Sequence, residues 1–386
     1  MHHSQLLFST KLAVLYGLGK LPWLHPWLPH ELTGSLPVGW NFEMFWRAFA
    51  TGGTRIYDDL YCEMERPASY LPQAQVEPEL QLGEQQIESF FTNGYLGPFD
   101  LLDEDEVEGM RAHLVDDLIR SESPWTYELH SGRGFADWLL NRDPAEIART
   151  SKKVVEGYGR TINRHLDDPP LLELFSRPEI TRRCAQLLGP DILLVRSNFF
   201  EVAPHSPGTS FHQASTWLFD DMRDSTAKPA NPNALWQLTC WIALTDANED
   251  NGCLVMLPGS HDRMYPLVIE RRTHGVDSRS PYKQGSIDFP FDRARREAIP
   301  VKAGQFLLFT ERVIHGSLPN RTDRSRWAVN CRYARTDTRL FSERTLREGV
   351  VSTYGAYKNV SMHKWRAVLV HGTDRFGYNK LEDEES

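Results

Sequence analysis

Cysteine is scarce in this chain: five residues in 386, at Cys62, Cys184, Cys240, Cys253 and Cys331, odd in number and without a C-x-x-C pair. This excludes a disulfide framework or a zinc knuckle and makes the cytoplasm the expected compartment. Positive charge is in deficit too. The formal net charge is −9, whereas a nucleic-acid reader needs a basic surface that displaces counterions. Nucleic acid is therefore excluded as a main partner. No apolar run reaches the roughly 20 residues of a membrane span. The nearest, over residues 6–18, is interrupted by Lys11 and followed by no small-residue cleavage site, so it reads as a packing helix without stable membrane insertion, loose membrane association being the minor alternative. Internal repeats and low-complexity tracts are lacking as well.

What is present is enough apolar material, 40% of the residues, to bury a large core. Residues 1–84 form a Trp- and Pro-rich arm, with Trp23, Trp27, Trp40 and Trp46. Such density argues against long regular elements, and so many indoles should be shielded from water by the main domain or a second subunit. His25 and His30 belong to this packing.

Residues 84–189 read as helical buttress. Asp103 and Glu106 form a capping box before the periodic Val107, Met110, Leu114 and Leu118. Pro169 and Pro178 open two further helices and Gly189 stops the second. Beyond it the period shortens to that of strands, at 192–195, 235–244, 253–257, 305–309 and 327–333, separated by turns such as Glu249-Asp250-Asn251-Gly252. Short strands in this pattern predict a mainly β jelly roll or sandwich with helices packed outside. Residues 341–386 are expected to give a C-terminal helix and an acidic tail.

Chemistry concentrates in two stretches, Phe211-His212-Gln213-Ala214 and Val313-Ile314-His315-Gly316-Ser317, with Arg326 after them. Two histidines and a later arginine follow the order of a non-haem iron(II) site, in which imidazoles and usually a carboxylate hold one face of the metal. Together with Pro170-Leu171-Leu172, Leu188-Gly189-Pro190-Asp191, Trp241-Ile242-Ala243-Leu244-Thr245-Asp246, Asn251-Gly252-Cys253-Leu254, Pro258-Gly259-Ser260-His261 and Pro319-Asn320, these runs resemble the phytanoyl-CoA dioxygenase family of iron(II)- and 2-oxoglutarate-dependent oxygenases. The resemblance covers residues 85–340.

It implies a cupin-like double-stranded β-helix, iron(II) held by His212 and His315, and 2-oxoglutarate clasped by Arg326. The last role has independent logic, since a planar guanidinium offers a carboxylate two parallel hydrogen bonds. Thr209, Asn198 and Trp241 are candidates to line the 2-oxoglutarate pocket, with ordinary strand packing an equal reading for Trp241. Gln213 points away from the metal as a donor to the groups behind it. His261 reads as a turn residue and His205 as a surface residue, while Arg332 and Arg335 are secondary candidates for the carboxylate-binding arginine, with a surface ion pair as their alternative reading.

Most family members carry H-x-D, and here the third position is Ala214. That departure is similar to the iron-dependent halogenases of the same superfamily, in which chloride fills the vacated position and restores the missing negative charge. The implied reaction consumes oxygen, 2-oxoglutarate and chloride, and replaces hydrogen on an unactivated aliphatic carbon with chlorine. Two alternatives remain open: a hydroxylase that uses two histidines alone or recruits Asp220 or Asp221, and a catalytically silent member with a binding role. The substrate is expected to be a small molecule or an acyl thioester, on coenzyme A or a carrier protein. The long insertion at 264–300, with Arg271, Arg272, His274, Arg279, Lys283, Arg293, Arg295 and Arg296, could meet its anionic group or form a solvated loop.

Overall fold

A computed structural model describes residues 3–29, 42–52, 63–121, 127–129, 160–209, 211–213, 227–263, 267–268, 286–287, 295–348, 350–352, 358–360, 362 and 364–382. In chain order its main helices are α1 (His3–Gly19), α2 (Phe42–Thr51), α3 (Glu84–Asn93), α4 (Glu104–Ala112), α5 (Pro169–Ser176), α6 (Pro178–Leu188) and α7 (Glu343–Glu348). The strands that build the core are β1 (Tyr95–Asp100), β2 (Ile192–Val202), β3 (Gln237–Ala243), β4 (Leu254–Met256), β5 (Glu297–Ile299), β6 (Gln305–Thr310), β7 (His315–Ser317), β8 (Arg326–Arg335) and β9 (Val368–His371).

Two antiparallel sheets face each other. The larger has the order β1-β6-β3-β8-β2-β9, the smaller β7-β4-β5, extended at β7 by a bridge to His212. Alternation explains why both faces of the larger sheet are buried. Leu238, Cys240, Ile242, Phe306, Leu308, Val329, Cys331 and Tyr333 point one way, onto α3, α5 and α6. Their neighbours Trp241, Ala243, Leu307, Phe309 and Ala328 point the other way and pack with Leu254, Met256 and Ile299 of the smaller sheet. This is the expected jelly roll, with helices on its outer face.

The expected helix starts are present for stated reasons. Asp103 accepts from the Glu106 amide at 2.8 Å and Glu106 returns a bond to the Asp103 amide at 3.0 Å. Asp168 caps α5 through the Leu171 amide, with Pro169 at its first turn. Gly189 ends α6 at φ 105°.

Several expectations are corrected. Residues 84–189 are not helical throughout: Tyr95–Asp100 is an edge strand on β6. The helix expected through Leu118 loosens into a π turn at His113–Asp117 and a 3-10 turn at Leu118–Arg120. Side chains redirect it there, since Asp168 takes His113 Nε2 at 2.8 Å and buried Arg164 bonds Leu118 O and Ser121 Oγ. The helix expected over residues 6–18 is present as α1, and the densest Trp-Pro run forms only the 3-10 turn Pro22–Trp27, but the arm's indoles are not shielded: Trp23, Trp27 and Trp46 are exposed. Leu381, placed in the acidic tail, instead bridges Ala367, whose carbonyl accepts from the Glu382 amide. The arm's inner residues Leu12 and Ala48 are buried in a cluster with Val195, Trp236 and Trp365. Val368–His371 extends the larger sheet on β2, from beyond position 340 where the sequence reading ended the core.

Candidate metal and co-substrate site

His212 and His315 lie on neighbouring strands and exchange two backbone hydrogen bonds, His212 N to His315 O at 2.9 Å and His315 N to His212 O at 3.0 Å. An antiparallel pair so bonded sets both side chains on one face. Their ring centroids are 4.3 Å apart at an interplanar angle of 50°. Phe309, from the facing sheet, packs against His315 with centroids 4.9 Å apart. His315 Nδ1 donates to Val313 O at 2.9 Å. That bond fixes the proton on Nδ1 and leaves Nε2 with its lone pair, the state a metal requires. Burial, then the neighbouring His212 and Arg332 charges, hold the His315 pKa well below its ordinary value. The ring is therefore neutral at physiological pH.

Arg326 stands at the start of β8 and is 2% exposed. Its Nε and one Nη donate to a single acceptor, Gly252 O, at 3.2 and 3.0 Å, and its guanidinium lies 5.4 Å from the Trp241 ring centroid. Burial lowers its pKa to about 10, so it remains cationic. Its other terminal nitrogen, Nη1, is buried without a hydrogen-bond partner. A buried cationic donor of this kind is costly unless a ligand meets it.

The turn that aims Arg326 is built from motif residues. Gly252 sits at φ 92°, and a Cβ there would lie 2.8 Å from Leu318 O. Asn251 donates to Asp246 O at 2.7 Å, and buried Asn320 donates to Val202 O and Arg324 O. The runs Asn251-Gly252-Cys253-Leu254 and Pro319-Asn320 thus fix the loops on either side of the guanidinium. Gly208 has a similar duty: a Cβ there would come 1.9 Å from Ser317 O, so only glycine lets the chain before His212 approach β7. Sequence reasoning missed Gly208, because nothing local distinguishes a close-approach glycine from a turn glycine.

Thr209 and Ser317 meet, with Thr209 N donating to Ser317 Oγ at 2.9 Å and Ser317 Oγ donating to Thr209 Oγ1 at 3.2 Å. Ser317, two residues past His315, was also missed as a site residue. Asn198, Trp241 and Asn330 occupy one row across the larger sheet. Asn198 Oδ1 accepts from the Phe199 amide, while Trp241 is buried and carries the Arg326 guanidinium over its ring. Gln213 is buried, and its amide donates to Arg312 O at 2.6 Å and Arg263 O at 2.8 Å, tying the His212 segment to the loops before β7 and after β4.

His261 is buried in a 3-10 turn and bonds Phe91 O at 3.1 Å. His205 is exposed beside Asp323, and Arg335 pairs with Asp337 at 2.8 Å. Arg332 is not a surface residue: it lies half-buried, opposite Arg196 in the sheet, and its charge helps depress the His315 pKa. Ala214, Asp220 and Asp221 lie outside the described residues, as do Arg271, Arg272, His274, Arg279, Lys283 and Arg293. Arg295 and Arg296 are exposed. Among the described residues no group of three or more His, Cys, Asp or Glu is placed to hold a metal.

These residues suit iron(II) and 2-oxoglutarate. Two adjacent imidazoles, one with its tautomer fixed, make a partial metal face, and the unmet Nη1 of a buried arginine is a carboxylate acceptor's counterpart.

Comparison with known proteins agrees. The model of the family described as phytanoyl-CoA dioxygenase matches residues 90–328, well over half of the chain. The peroxisomal phytanoyl-CoA dioxygenase of Rattus norvegicus is 25% identical over 65% of this chain and 68% of its own length. The ectoine dioxygenase of Bordetella bronchiseptica is 27% identical over 47% of this chain and 59% of its own. Among solved structures, CytC3 with Fe(II) and alpha-ketoglutarate superposes with a TM-score of 0.51 at 22% identity, over 81% of this chain and 94% of that one, a likeness of fold. On the strength of the family match, this chain belongs to the phytanoyl-CoA dioxygenase family of iron(II)- and 2-oxoglutarate-dependent oxygenases.

Proposed function

We propose that this family member is a radical halogenase acting on an unactivated aliphatic carbon of a small-molecule or carrier-bound acyl substrate. The observation that carries the reading is Ala214, two residues after His212, where the family pattern has a carboxylate. A methyl group can neither ligate iron nor supply its negative charge, and a chloride ion would do both. When bound, iron(II) with 2-oxoglutarate, oxygen and chloride supplies hydrogen-atom removal and chlorine delivery, releasing succinate and carbon dioxide.

The chain's own part is placement. His212 and His315 would hold the metal, with Val313 O keeping the His315 proton on Nδ1. Arg326, fixed by Gly252 O, would offer Nη1 to a carboxylate of 2-oxoglutarate. Thr209, Asn198 and Trp241 would line the 2-oxoglutarate pocket beside Arg326, all within residues 85–340.

Anaerobic optical titration with iron(II) and 2-oxoglutarate tests this without a substrate. The charge-transfer band of the complex should move in position or affinity with chloride in the parent and lose that response in Ala214→Asp. A parent band indifferent to chloride overturns halogenation. It would favour the hydroxylase reading, which draws support from relatives named as dioxygenases of phytanoyl-CoA and ectoine. Absence of any band would mark a binding protein.

A further inference from the structure

Eight of the twelve large hydrophobic side chains exposed among the described residues fall between positions 6 and 46, so the apolar surface is a property of the arm. Helix α1 is mostly apolar, with large apolar side chains on its outer as well as its inner side. Its inner side packs on α2, where Tyr16 stacks on Phe45 with centroids 4.3 Å apart, and Leu12 is buried. Its outer side presents Leu6, Leu7 and Val14 at 54%, 66% and 58% exposure. Trp23 follows on the 3-10 turn Pro22–Trp27 at 68% exposure. Phe42 and Trp46 stack on α2, 6.3 Å between centroids, at 66% and 54%. α2 and the main-domain cluster around Trp236 and Trp365 cover the inner side, while among the described residues the outer apolar side chains stay exposed.

Charge decides which neighbour. Helices α1 and α2 with the turn after α1 (residues 3–29 and 42–52) carry Lys11, Lys20 and Arg47 against one acid, Glu43, in a chain of net charge −9. A twofold contact between copies would set this excess of cations against itself. An anionic lipid surface matches both features: it buries leucine and tryptophan at the headgroup boundary, attracts lysine, and repels the acidic remainder of the chain. The 17 residues of α1 extend roughly 25 Å, short of a roughly 30 Å hydrocarbon core, so the contact lies in the plane of the interface. No helix among the described residues is long and apolar enough to cross a membrane.

We propose that the α1–α2 hairpin docks on the surface of an anionic phospholipid bilayer, with Leu6, Leu7, Val14 and Trp23 inserted. The reading is independent of the halide assignment.

The full chain should co-sediment with vesicles of phosphatidylcholine mixed with phosphatidylglycerol, and far less with phosphatidylcholine alone. The triple variant L7Q/V14Q/W23Q, altered only at exposed positions, should lower the partition coefficient by roughly a hundredfold or more, since each buried side chain contributes about tenfold or more. Lys11→Glu should reduce binding to anionic vesicles alone. Parent protein that stays in the supernatant with both vesicles overturns the proposal, as does a triple variant that binds like the parent. So does a parent that binds neither vesicle and is dimeric by light scattering while the triple variant is monomeric, which would make a second copy the occupant.

Discussion

The rim that holds His212, His315 and Arg326 and the hairpin at residues 3–52 treat their surroundings in opposite ways. At the rim nearly every polar group is tied: Gln213 to two carbonyls, Asn320 to two more, Arg326 to Gly252, Ser317 to Thr209. In the hairpin the unmet groups are apolar and face outward. A buried hydrogen-bonded frame fixes side chains to within the tolerance that chemistry requires, whereas an apolar face only asks for a partner to cover it. The rim is thus specified from within and the hairpin from without.

The largest test of the rim is the buried pair that precedes β7. Glu311 and Arg312 are each 1% exposed by side chain, and burial raises the Glu311 pKa. Arg312 also donates to Pro232 O and Ala234 O. Arg312→Met should destabilise the fold by about 3–5 kcal/mol in denaturant unfolding, because an unpaired carboxylate and two carbonyls are left inside. A loss below 1 kcal/mol, on the scale of an exposed pair, would erase the contrast with the hairpin. Next is Gln213→Leu, expected to lose about 2 kcal/mol by stranding Arg312 O and Arg263 O, and to weaken iron(II) binding by shifting His212.

Acid should destabilise the fold through two buried histidines, His165 under α5 and His261 in the turn after β4. Desolvation lowers His165 to about 3 and His261 to about 4. Between those values and the ordinary 6.5 the unfolded chain binds protons that the folded chain refuses. Stability is therefore complete above pH 6.5 and falls as pH drops toward 4, by up to about 1.4 kcal/mol per pH unit for each histidine. Unfolding midpoints across that range, with and without His261→Gln, measure the slope. The smallest effect belongs to the hairpin: Leu7→Gln should change stability by no more than about 0.5 kcal/mol. A larger loss would mean that Leu7 is covered within the molecule.

The legibility of the sequence followed the same divide. Helix starts with a side-chain signature, Asp103 with Glu106 and Asp168 with Pro169, were visible because the signal is local. The strand Tyr95–Asp100 was not, since its Gly97-Pro98 step resembles a break and is tolerated only because the strand is an edge. Val368–His371 was hidden by its brevity. His212, His315 and Arg326 were identifiable by residue type and order, but their frame was not, since the Gly208 approach to Ser317 and the Gln213 clamp join positions about a hundred residues apart. The outward indoles of the arm contradicted a rule about average burial that takes no account of what lies outside the chain.

The reciprocal backbone bonds between His212 and His315 have one more consequence. Neither amide can exchange its hydrogen with solvent unless the ladder between the two strands opens, and one opening releases both. Deuterium uptake at positions 212 and 315 should therefore keep common time, giving a clock for the integrity of the centre that runs without metal, substrate or turnover.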